Sequence, residues 1–72
     1  MTKTQIRLDT LSEVNKFVAA MSRIDEEIWL EDGSGSRVNA KSMLGALYSM
    51  EFANIYCYCE KDINVHLMPW AV

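Results

Sequence analysis

The segment Asp32-Gly33-Ser34-Gly35-Ser36 lies between two runs that alternate apolar and polar residues. Its glycines supply the positive-φ conformations that a tight return of the chain needs. On the near side, Glu26 to Glu31 alternates, with Ile28 and Leu30 facing one way and Glu27, Trp29 and Glu31 the other. On the far side, Arg37 to Ala40 forms a short return strand with Val38 and Ala40 inward. A hairpin at this place makes the two middle strands antiparallel and restricts the remaining elements to one antiparallel sheet and what covers it. The acidic run Asp25-Glu26-Glu27 with Glu31-Asp32 reads as a solvated margin that discourages edge pairing, and not as a catalytic carboxylate pair. Gly33-x-Gly35 follows a strand but opens no helix, so it is a turn and not a phosphate cradle.

The flanking segments supply the other elements. Thr4 to Leu8 alternates as a strand, with Thr4, Ile6 and Leu8 on one face. Thr10-Leu11-Ser12-Glu13 fits the S/T-x-x-E capping box, and Leu11, Val14, Phe17, Val18, Met21 and Ile24 follow at helical spacing. This predicts a helix from Leu11 to Arg23. A second helix is predicted from Ser42 to Met50, with Ser42 as N-cap and Met43, Leu44, Leu47 and Met50 as its apolar side. Asn54 to Glu60 is a strand with Ile55, Cys57 and Cys59 on one face and Tyr56 and Tyr58 on the other. The tail, Lys61 to Val72, alternates through Ile63, Val65 and Leu67 before Pro69, which reads as an extended segment or fifth strand. The order is βαββαβ. Each helix must bury its stripe on the sheet's inner face, so the expectation is a single α+β domain spanning residues 1–72, an open-faced two-layer sandwich with an antiparallel sheet.

Charge and composition narrow the function classes. The 72 residues carry seven Lys+Arg against ten Asp+Glu, a formal net charge of −3. That balance disfavours binding to duplex nucleic acid, which needs a basic surplus. No stretch approaches the roughly 20 apolar residues of a membrane span, and no signal peptide is evident, so a soluble cytoplasmic protein is the expectation. Cys57 and Cys59 point the same way along a strand, where a disulfide between them would be strained, so they read as buried reduced thiols. Together with His66, the only histidine, they give three metal-ligand types where a structural zinc site takes four, and neither metal nor cofactor is expected. The outer sheet face should carry Glu27, Trp29, Arg37, Tyr56 and Tyr58. Three readings stand for its aromatics: a protein interface, ordinary strand preference, or a stacking platform for single-stranded nucleic acid that Glu27 and Glu31 would oppose.

The segment Val38-Asn39-Ala40-Lys41-Ser42-Met43-Leu44-Gly45-Ala46-Leu47 is similar to the V-N-x-K-S-[IM]-[ML]-G-x-[ML] segment of HPr, the histidine-containing phosphocarrier protein of the bacterial sugar phosphotransferase system. The strand–helix–hairpin–helix–strand order resembles that family's open-faced β-sandwich as well, over about Thr4 to Glu60. The resemblance implies a partner-binding surface at Lys41, Ser42, Met43, Leu44 and Leu47. It also implies a role for Ser42, since the matching serine is phosphorylated by a dedicated kinase in many Gram-positive bacteria. Two readings of Ser42 stand side by side: a helix cap alone, or a cap that is also a phosphorylation site.

The same resemblance exposes what is missing. HPr proteins carry G-[LI]-H-A-R-P at the start of the first helix, where the His accepts and passes on a phosphoryl group. Counting back from Lys41-Ser42, with one extra residue in the glycine-serine turn, puts the His position at Thr10, the Arg position near Ser12 and the Pro position near Glu13. Thr10 and Glu13 would consume the helix-terminal amides that hold a phosphoryl group, and Glu13 adds negative charge there. The implied function is an HPr-like regulatory or protein-interaction module without histidine phosphocarrier activity and without catalytic residues. Its partners would be phosphotransferase-system components or a serine kinase. The alternatives are a phosphocarrier using Ser42 or His66 as acceptor, or a self-associating structural protein that buries its aromatic face in a homodimer. The family's third helix, which packs on the sheet, would here be replaced by the extended tail, whose Val65, Leu67, Met68 and Trp70 fold back over the exposed surface unless a second copy covers it.

Overall fold

The computed structural model describes residues 2–72. Its elements are β1 (Thr2–Ile6), α1 (Leu11–Met21), β2 (Ile28–Glu31), β3 (Arg37–Asn39), α2 (Met43–Ser49), β4 (Ile55–Cys59) and α3 (Asn64–Leu67). The strands form one open antiparallel sheet in the order β1-β4-β2-β3. The architecture is α+β, as the alternation and the central hairpin predict.

The period-two pattern decides which side of the sheet is covered. Ile28 and Leu30 of β2 and Ile55, Cys57 and Cys59 of β4 are buried on the inner side, while Trp29, Tyr56 and Tyr58 on the opposite side are half-buried. Helix α1 lays Val14, Phe17 and Met21, all fully buried, into the core. Leu11 departs from the predicted stripe: at the first helical position it is 58% exposed.

Helix α2 turns differently from the expectation. Ala46 and Ser49 face the core, Met43, Leu47 and Met50 are half-buried, and Leu44 is 80% exposed. The small residues are explained by proximity to β3. A Cβ on Gly45 would lie 2.8 Å from the Asn39 carbonyl oxygen and 3.3 Å from the Val38 Cβ, so glycine is what lets the helix settle there. The Ser49 hydroxyl, fully buried, donates to the Ala46 carbonyl at 2.6 Å and so brings no unpaired polar group into the core.

The tail corrects the sequence reading of an extended segment in place of a third helix. Asn64–Leu67 is a short helix, and only beyond Pro69 does the chain extend, with Ala71 bridging Ile6. Asp62 accepts from the Asn64 amide at 2.9 Å and so starts the turn. The relevant spacing is Ile63, Leu67, Trp70, which are buried, whereas Val65 and Met68 are exposed. Trp70 meets Phe17 edge to face, with centroids 5.2 Å apart at 87°.

Candidate functional site

The start of α1 is built by Thr10 and Glu13. The Thr10 hydroxyl accepts from the Glu13 amide at 3.1 Å. In return the Glu13 Oε1 accepts from the amides of Asp9 at 2.7 Å and Thr10 at 3.3 Å. The reciprocal capping box read from the sequence is therefore present, and a carboxylate belonging to the chain takes the amides of Asp9 and Thr10 just before the first helical residue. Beside it lies a cleft of about 310 Å³ whose lining includes Arg7, Leu8, Asp9, Met50, Phe52 and Asn54. Arg7 and Asp9 form an exposed ion pair across 3.6 Å. Ser12, at the counted Arg position, is exposed.

The start of α2 lies at the other end of the helix layer. Lys41 donates its ammonium to the carbonyl of Ile24, just beyond the C-terminal end of α1, while Met50 and Phe52, at and beyond the end of α2, border the cleft near Asp9. Thr10 and Ser42 thus sit at opposite ends of the two helices. Ser42 caps α2 with its hydroxyl, which accepts from the Gly45 amide at 3.2 Å, and its own amide donates to the Asn39 carbonyl at 3.1 Å. The Lys41 amide donates to the Asn39 side chain at 2.8 Å. Lys41 is consequently a tie between α1, β3 and α2, with its charge engaged by main chain.

Among the residues expected to form a partner surface, Leu44 is exposed, and Ser42, Met43 and Leu47 are half-buried beside it. The sequence reading omitted Tyr48, which is 59% exposed one turn after Leu44 and meets Phe52 edge to face at 5.8 Å. The Leu44–Tyr48 spacing of four was the available signal.

The outer sheet face brings Trp29, Tyr56 and Tyr58 together, as expected, with Arg37. Glu27, assigned to the same face, is exposed but precedes β2. Arg37 lies over both Trp29 and Tyr58, 5.5 and 5.0 Å from their centroids, and Lys3 lies 5.6 Å from that of Tyr56. Both cations pair with Glu31, at 2.5 Å for Arg37 and 3.2 Å for Lys3. The Arg37 hydrogen bond holds the Glu31 carboxyl below its ordinary range. Sequence reading had no means of finding this triad, because Lys3 reaches Glu31 from β1 across β4.

Cys57 and Cys59 are buried free thiols, and burial pushes Cys57 up to about 12, with Cys59 adding to the effect. Such a thiol is almost wholly protonated near neutral pH and a poor nucleophile. His66 is exposed on α3 and does not line the cleft beside α1. Among the described residues no three metal-ligating side chains converge, and no helix is long and apolar enough to cross a membrane. Compared with protein-family models and with curated proteins, the chain gives no match.

Proposed function

We propose that this chain is a divergent HPr-like domain that has given up histidine phosphotransfer and acts as a regulatory or protein-interaction module. The observation that carries this reading is the capping box at Thr10. At the position where the resemblance puts a phosphorylated imidazole, Glu13 already takes the amides of Asp9 and Thr10. A phosphoryl group arriving there would meet a carboxylate and would find the amides of Asp9, Thr10 and Glu13 already bonded. The hydroxyl of Thr10 accepts from the Glu13 amide, and the Glu13 carboxylate, the base of that box, is bonded to the amides of Asp9 and Thr10 instead of to that hydroxyl.

Two further features support the family reading. The short helix α3 follows the last strand and contributes buried Leu67, as the family's third helix packs on its sheet. The N-A-K-S-M-L-G run sits at the turn from β3 into α2, with Ser42 as N-cap. In this reading Ser42 is the phosphorylated residue, and Leu44 and Leu47, joined by Tyr48, form the partner surface. A phosphate at Ser42 retains an oxygen acceptor for the Gly45 amide and gains about 0.3–1 kcal/mol from the helix dipole.

The test has two arms. Incubated with the upstream phosphotransferase enzyme and phosphoenolpyruvate, the protein is expected to acquire no acid-labile phosphate; label on His66 would overturn the loss of transfer. Incubated with the HPr serine kinase and ATP, it is expected to gain one acid-stable phosphate that Ser42→Ala abolishes. An unlabelled wild type would remove the regulatory role.

A further inference from the structure

We draw no further inference here: the strongest candidate, the outer sheet face of Trp29, Tyr56 and Tyr58, carries nothing because its cations Lys3 and Arg37 are already paired with Glu31 and nothing in the structure shows what covers it.

Discussion

The two main helices begin with the same kind of residue and end up with different chemistry at their starts. Thr10 and Ser42 are both extended N-caps whose hydroxyls accept from the amide three residues on. In α1 that third residue is Glu13, which reaches back and takes two more amides. In α2 it is Gly45, which has no side chain to return the bond, and the Ser42 amide turns to the Asn39 carbonyl instead. The reason is steric: any side chain at Gly45 would collide with the strand backbone. Packing against β3 therefore forbids a capping box in α2, whereas α1 is free to have one. A cap residue does not by itself say whether a helix terminus is open; the residue three positions later decides.

The largest expected effect comes from attacking that steric reason. Gly45→Ala should lower stability by about 2 kcal/mol, because its Cβ must push against the Asn39 carbonyl. Urea denaturation measures it, and a neutral result would mean that the distance between α2 and β3 is not what keeps glycine there. Next come the caps. Thr10→Ala and Ser42→Ala should each cost about 1 kcal/mol. Combining Thr10→Ala with Glu13→Ala should cost less than the sum of the single changes, because the two share one box. Additive losses would show that the reciprocal bonds act independently. Glu13→Gln keeps an acceptor oxygen at the same reach and should lower the unfolding free energy by only about a few tenths of a kcal/mol.

The smallest effect lies on the opposite side of the sheet and serves as a contrast to the buried constraint. Glu31 has its carboxyl lowered from the ordinary value of 4.5 by the Arg37 hydrogen bond. A lowered folded-state value means that its stabilisation is present above the unfolded value and is lost as pH falls through the folded one. Glu31→Gln should therefore flatten the acid limb of a melting-temperature profile while leaving the Gly45→Ala deficit unchanged. An undiminished acid limb would assign it to other carboxylates.

Much of the fold was legible because period and turn chemistry are local. The hairpin glycines, the Thr10–Glu13 box and the alternation of β4 each place an element without knowledge of the rest. The errors fell where two periods compete or where contacts come from afar. Ile63, Val65 and Leu67 satisfy a strand's alternation, yet Ile63, Leu67 and Trp70 satisfy a helix's spacing, and the burial of Trp70 against Phe17 decides the matter. Leu44 looks like core by composition but points outward because Gly45 fixes the rotation of α2 on β3. The position of Thr10 relative to Ser42 was invisible for the same reason: it depends on how the helices lie side by side.

The pairing of β1 has a consequence for the growing chain. All of its strand partners come late: β4 supplies its register from Thr2–Cys59 to Ile6–Ile55, and the contacts beyond it are Arg7 with the Trp70 carbonyl, Ile6 with Ala71 and the Gln5 carbonyl with the Val72 amide. On the ribosome β1 must wait for these partners until those residues leave the exit tunnel. The helices and the hairpin can form in order of synthesis, but the pairing of β1 with β4 closes the sheet only afterwards.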